Sequence, residues 1–382
     1  MEVRIKGYTL YNNTRQQNIV KSIKKGLSQP SWWVVFLAVF IFNFSRYYHR
    51  FHLWIESVYS VGINQKILIS LSRITALIPF SIAEILYFIF WILIIIGSIY
   101  GLYVLVRYKK GYVIKKIVVT ISSLYILFMF LWGFNYYRTP ISQTLQMSQS
   151  SYTVEQLQNS VRILIERANT LRQQVQVDKY GVMTINDDLS SVIKRAQLGY
   201  DALDSRFELL KGTYGLPKTF VFSDAWLYMG ITGMYFPFTA EANVNAHAPH
   251  ILLPFVILHE MAHQRGIAYE DEANFVAFLT AIAHPDVDFQ YSGTMISLIY
   301  TINALHRMDP KAAFELRQLY SNDVRRDFVF YRNFWNLYQG KIQDISDSIN
   351  DIYLKGNQQT DGVQSYSRMV ALVIAYFEDQ SE

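Results

Sequence analysis

Residues 258–278 read LHEMAHQRGIAYEDEANFVAF. His259 and His263 enclose Glu260 in an HExxH sequence. On a helix, residues four apart lie one above the other, so both imidazoles can reach one metal ion. Glu260 projects to one side of the pair, where a carboxylate can act as general base in metal-assisted hydrolysis. The surroundings favour a helix. Pro254 is acceptable in a first turn, Phe255 to Leu258 with Met261 and Ala262 supply an apolar body, and Gly266 provides a stop.

Two histidines alone make a weak site, and a third protein ligand is needed. After the glycine, EDEANFVAF resumes a helical pattern and offers Glu270 and Glu272. These point about 200° apart on a helix, so one of the two faces a metal. Glu270 shares a face with Asn274 at i+4, an amide able to hydrogen-bond a ligand imidazole. Glu272 is the alternative third ligand, and helix geometry does not choose between them. The plain competing reading is an amphipathic helix with a charged solvent face. A di-iron carboxylate site requires a second Glu-x-x-His, and none occurs elsewhere in the chain.

The 382 residues include no cysteine, so any metal must be held by His, Asp or Glu. The net charge of +5 divides unevenly. Residues 1–137 hold 15 Lys and Arg against 3 Asp and Glu, whereas residues 138–382 hold 20 against 27. The acidic larger part argues against a nucleic-acid footprint. The basic first third is apolar and aromatic, which points to a membrane.

Three apolar runs predict transmembrane helices at about 31–48, 80–106 and 117–136, since a span needs roughly 20 mostly apolar residues. Arg107, Lys109, Lys110, Lys115 and Lys116 crowd the connection between the second and third. Arg4, Lys6, Arg15, Lys21, Lys24 and Lys25 precede the first. The positive-inside rule then places the N-terminus in the cytoplasm and everything after the third span outside. Spans almost free of ionisable residues, Glu84 near one start excepted, speak against a transporter.

The expected architecture is α+β and helix-dominated: a membrane anchor over 1–137, then an extracytoplasmic domain over 138–382 with a small β-sheet. Helices are expected over 153–175 and 186–210, the latter ending at Gly212, and short strands at 218–222 and 234–238. The loop histidines His247 and His250 lie near the motif, where a solvated role is the ordinary one.

With these residues in place, the chain resembles the zincin metallopeptidases, specifically the gluzincin branch whose third ligand is a glutamate on a later helix. In that branch the glutamate precedes an aspartate by four positions; Glu270 and Asn274 match if asparagine replaces the aspartate. The order of three spans, WGFNYYR (132–138), MYFPFTAEANVN (234–245), HExxHQRG and EDEANF is similar to an uncharacterised bacterial family of membrane-anchored zincin-like proteins. The resemblance implies one Zn²⁺ per chain on His259, His263 and Glu270, with Glu260 as catalytic base. It implies a peptide or protein substrate, and a multi-pass protein of the bacterial cytoplasmic membrane, the lipid bilayer being its other partner. A strand edging the cleft in such proteins makes Tyr235, Glu241 and Asn243 candidates for contact with substrate. An oxyanion donor is also needed, for which Tyr366 is a candidate. A zincin-fold protein used for binding or envelope structure, with little peptidase activity, is the alternative.

Overall fold

The computed structural model describes residues 30–47, 50–107, 110–145, 147, 151–203, 207–357 and 366–380. Among them, eleven α-helices run for eleven residues or more: α1 Pro30–Ser45, α2 Gln65–Thr75, α3 Ile82–Arg107, α4 Lys110–Leu131, α5 Val154–Arg172, α6 Leu253–Gln264, α7 Glu270–Ala283, α8 Val287–Met308, α9 Asn322–Asn336, α10 Lys341–Gly356 and α11 Tyr366–Asp379. Three short strands, β1 Lys218–Thr219, β2 Gly233–Phe236 and β3 Glu241–Val244, complete a helix-dominated α+β fold. The sheet order is β1-β3-β2, with β1 parallel and β2 antiparallel to β3.

Among the described residues two helices, not three, are long and apolar enough to cross a membrane: Ile82–Val104 and Val113–Leu131. The segment expected to span at 31–48 forms the 16-residue α1. At 1.5 Å per residue that is about 24 Å, short of the roughly 30 Å hydrocarbon layer. The span expected at 117–136 ends at Leu131, where Trp132 leaves helical geometry and Gly133–Tyr137 forms a 3₁₀ turn.

The chain packs as two compact units. One holds α1 with the stretches of α3 and α4 between Trp91 and Phe130. Its apolar side chains face outward; Leu93, Ile95 and Ile121 are each more than half exposed. The other unit joins residues 51–90 to residues 131–382, so the packing division does not coincide with a sequence boundary at 137. What reads in the sequence as a loop between spans is a π-helix, Ile55–Asn64, running into α2. It meets the WGFNYYR stretch through buried polar groups. Asn64 donates to the Leu131 carbonyl at 2.9 Å, and Asn135 exchanges 2.9 Å hydrogen bonds with Asn64 and Ser60. Arg138 pairs with both carboxylate oxygens of Glu56.

α5, α7, α8 and α11 form the core of this unit, with Leu157, Leu164, Phe275, Phe278, Met295 and Val373 fully buried. α5 starts where Thr153 and Gln156 cap it reciprocally. The helix expected over 186–210 is broken into Leu189–Arg195 and Gln197–Leu203 with a 3₁₀ turn at Glu208–Leu210. At the break the Arg195 carbonyl, which a continuous helix offers to Gly199, accepts His284 Nε2–H at 2.9 Å. The strand expected at 218–222 stops at Thr219 because the Val221 and Phe222 N–H groups donate to the buried Glu84 carboxylate at 2.8 and 3.0 Å. β2 stops at Phe236, ahead of Pro237, which has no N–H for a ladder.

Candidate metal centre

α6 carries the HExxH residues, and a glycine turn delivers α7 beside it. Gly266, at φ +83°, sends its N–H to the His263 carbonyl at 2.8 Å, while the Ile267 N–H reaches the Ala262 carbonyl at 3.2 Å. This pair of bonds is a Schellman stop, which needs a residue tolerant of positive φ. The reversal leaves the Ile267 carbonyl facing back toward His263, whose Nδ1–H donates to it at 2.7 Å. That bond leaves Nε2 with its lone pair free to ligate.

Glu270 is the first residue of α7, and the turn places it over the two imidazoles. His259 Nε2 and His263 Nε2 stand 3.0 Å apart. Glu270 Oε2 lies 3.3 Å from the first and Oε1 lies 3.5 Å from the second. One donor atom from each residue falls within a 4.8 Å cluster. Tetrahedral bonds of 2.0–2.1 Å give donor–donor edges of about 3.3 Å, so the set has the size of a zinc site. Two imidazoles and one carboxylate are also the donor types zinc favours, though other divalent ions accept them.

Electrostatics agree with that size. Burial drives the His263 imidazole down, but the Glu270 and Glu260 carboxylates outweigh it and raise it to about 9. Burial likewise opposes ionisation of Glu270, and His263 and His259 overcome it, holding the carboxyl far below its usual range. Burial dominates at His259 and lowers it. The donors thus form a compact, mutually polarised cluster that a divalent cation can replace protons in. Glu260 is 4% exposed, and its Oε2 has no hydrogen-bond partner. Burial pushes its carboxyl up to about 8, against the pull of His263. Gly233 of β2 lies against this carboxylate: a Cβ there would stand 2.4 Å from Oε1.

The remaining candidates fall in different places. Glu272 points away from the histidines; its Oε1 accepts the Ile141 N–H at 2.8 Å, and burial with Asp271 nearby raises it to about 7. It is a structural acceptor, because two positions along α7 turn it to the helix's other side. Asn274 is buried beside His259 and favours its charged form, but no hydrogen bond reaches His259 Nδ1. Tyr235 holds its ring tilted against Trp132 at 4.8 Å and His263 at 6.4 Å, while its buried hydroxyl has no partner. Glu241 is not in a cleft. Its carboxylate accepts the Ile82 and Ala83 N–H groups at 3.3 and 2.6 Å and pairs with Lys218, capping the N-terminus of α3. Asn243 is fully buried in the central strand, donating to the Met234 and Glu241 carbonyls at 3.1 and 3.2 Å. Tyr366 opens α11, and its side chain lies outside the described residues. His247 pairs with Asp224 at 2.6 Å and His250 with Thr184 at 2.7 Å, both apart from the cluster.

Sequence reasoning missed the site's aromatic wall. Trp132 stands edge-on to His263 at 5.9 Å. Tyr136 and Tyr353 bring their hydroxyls within 3.3 Å of one another, and both feel the Glu270 charge. Tyr353 sits on α10, over 80 residues beyond the motif, with no local signal linking them. Gln264 and Arg265 of the HQRG segment are structural. Gln264 donates to the Gly215 and Ala240 carbonyls, and the Arg265 guanidinium stacks over Tyr200 at 3.7 Å.

No curated protein and no solved structure matches the chain. One family, described as "Protein of unknown function (DUF3810)", matches residues 59–374, a range that takes in Ser60, Asn64 and Asn135, the sheet, the histidine pair with Glu270, and all but the last turn of α11. The chain belongs to that family.

Proposed function

We propose that this protein is a membrane-anchored, zinc-dependent metallopeptidase of gluzincin type, acting on peptide bonds of envelope or extracellular proteins or peptides. The observation that carries the reading is the convergence of His259, His263 and Glu270 beside a buried carboxylate, Glu260, with a free oxygen. His259 Nε2, His263 Nε2 and a Glu270 oxygen would hold the ion. Zinc, when bound, polarises a carbonyl and makes a water acidic near neutral pH. Glu260 takes the water's proton at Oε2 and hands it to the leaving amine, a role suited to a carboxyl whose affinity for protons burial has raised. His263 is held in one tautomer by Ile267. Trp132 and Tyr235 set aromatic rings beside His263.

Charge and packing support an outer location for the candidate site. The basic connection between α3 and α4 belongs in the cytoplasm by the positive-inside rule. Residues 51–81 and 132–382, which pack as one unit, then lie together on the outer side whether or not α1 crosses.

Substituting Glu260→Gln tests the chemistry. The variant should keep one zinc per chain and lose chelator-sensitive cleavage of a peptide library by about 10³-fold or more. Cleavage at the wild-type rate sinks the mechanism. The unpartnered Nδ1 of His259 favours a second reading, a metal-holding binding or envelope-structure module with little hydrolysis. That reading predicts stoichiometric zinc with no chelator-sensitive cleavage in the wild type.

A further inference from the structure

Four isoleucines, Ile342, Ile345, Ile349 and Ile352, recur on α10 at intervals of three, four and three residues. That spacing puts them on one helix face. They are 58, 62, 54 and 72% exposed, an apolar stripe that water-facing helices do not normally present. The stripe is not the face with which α10 packs on its own unit: there Leu354 is buried and Gln343 lies against Gly230.

Both ends of α10 are tied to the places where α3 begins and α4 ends. Just ahead of α10, Tyr338 packs edge-on to Tyr228 at 5.2 Å. Tyr228 closes a short helix, Ser223–Tyr228, whose Trp226 packs on Tyr87 at 5.0 Å, while Phe222 meets Phe88 at 5.5 Å. Tyr87 and Phe88 belong to the second turn of α3. At the other end, the Tyr353 hydroxyl meets that of Tyr136, five residues past the end of α4. Val221 and Phe222, 65 and 56% exposed, continue the apolar surface at the start of α3.

We propose that α10 is an interfacial helix, its isoleucine face lying in the headgroup–acyl boundary of the bilayer that α3 and α4 cross. The assignment rests on the membrane anchoring proposed above and not on the metal chemistry. The lipid contact is apolar, because α10 carries Asp344, Asp347 and Asp351 against Lys341 and Lys355 and so has no cationic face for anionic headgroups. Zwitterionic lipid therefore suffices. Since the Tyr353 hydroxyl of α10 meets that of Tyr136, and both feel the Glu270 charge, the lipid contact sets that side of the candidate site at the membrane surface, where membrane-proximal peptide segments are the substrates it would meet.

The natural chain has no cysteine, so single cysteines can report position directly. Full-length protein carrying Ile345→Cys, Ile349→Cys, Asp344→Cys, Lys355→Cys or, as a reference in the span, Ile94→Cys would be labelled with bimane in phosphatidylcholine vesicles. Quenching by lipids bearing a nitroxide near the glycerol end of the acyl chain should be about threefold stronger or more at 345 and 349 than at 344 and 355, with iodide quenching showing the reverse order. Equal access of iodide to all four α10 positions, with lipid quenching at 94, overturns the interfacial assignment alone. Absence of lipid quenching at 94 overturns the anchoring and the interfacial assignment with it. Shielding of 345 and 349 from both quenchers, with energy transfer between labelled copies, assigns the stripe to a second copy and also overturns the proposal.

Discussion

Gly233 of β2 rests on the carboxylate of Glu260: a methyl group built on it would stand 2.4 Å from Oε1, 2.7 Å from Cγ and 2.8 Å from the carboxyl carbon. No side chain fits there while Glu260 stays where it is. Gly233→Ala should displace the carboxylate by an ångström or so and reduce hydrolysis by about 100-fold, because such a misplacement is known to cost that much. Zinc content should not change, since neither histidine is touched. Peptide cleavage and metal content measured on the same preparation check this; loss of both together would mean that the strand, not the carboxylate, had moved.

The two acidic candidates on α7 separate by experiment. Glu270→Ala should lower zinc affinity by about 100-fold or more, beyond the loss of about 10–100-fold typical of removing a group that only orients a ligand. Glu272→Gln should retain zinc and most stability, because a glutamine oxygen can still accept the Ile141 N–H. Glu272→Ala orphans that buried donor and should cost about 1–3 kcal/mol in denaturant unfolding, again with zinc retained. Zinc loss in the Glu272 variants would reverse the assignment.

Arg138 and Glu56 tie the segment after α4 to the π-helix, and Arg138 also donates to the Gly266 carbonyl at 3.2 Å, in the turn behind His263. Arg138→Met strands a carboxylate that is 20% exposed. The cost should be about 3 kcal/mol, at the low end for a broken buried pair because water still reaches Glu56. Unfolding of the detergent-solubilised protein measures it, and a change under about 1 kcal/mol would show the pair to be solvated.

His284 predicts an acid limb in stability. Its Nε2–H donates to the Arg195 carbonyl and its Nδ1 accepts the Asp286 N–H at 3.0 Å, so the neutral ring fits and a proton on Nδ1 would face a donor. Burial lowers its affinity for protons in the fold, outweighing the Arg195 carbonyl and the nearby carboxylates. The unfolded chain therefore binds the proton first. The contribution is fully present above the unfolded value of about 6.5 and is lost as pH falls through the lower folded value. Thermal unfolding between pH 7 and 5 should show wild-type stability declining, with a shallower decline in His284→Gln. Equal slopes would remove His284 as the cause.

The legible parts of the molecule were those set by neighbours in sequence. The HExxH spacing placed two imidazoles on one helix face, and Gly266 marked the stop with its positive φ. The apolar runs of α3 and α4 read directly as helices long and apolar enough to cross a membrane. What sequence hid depends on distant partners. Glu84 and Glu241 look like a stray charge in a span and a cleft residue, yet each satisfies backbone N–H groups across the fold. Glu270 and Glu272 could not be separated until the turn set the crossing of α6 and α7. The polar links of Asn64 and Ser60 to Asn135 made structure of an apparent loop, and Tyr353 reached the site from a helix with no sequence tie to it.

The proposed chemistry depends first on whether His259, His263 and Glu270 hold a metal ion. Metal analysis of the purified full-length protein beside its His259→Ala variant tests it most directly. About one zinc per chain is expected in the wild type and less than about a tenth of that in the variant, since two remaining ligands make a weak site. No stoichiometric metal in the wild type, or equal metal in both, would contradict it.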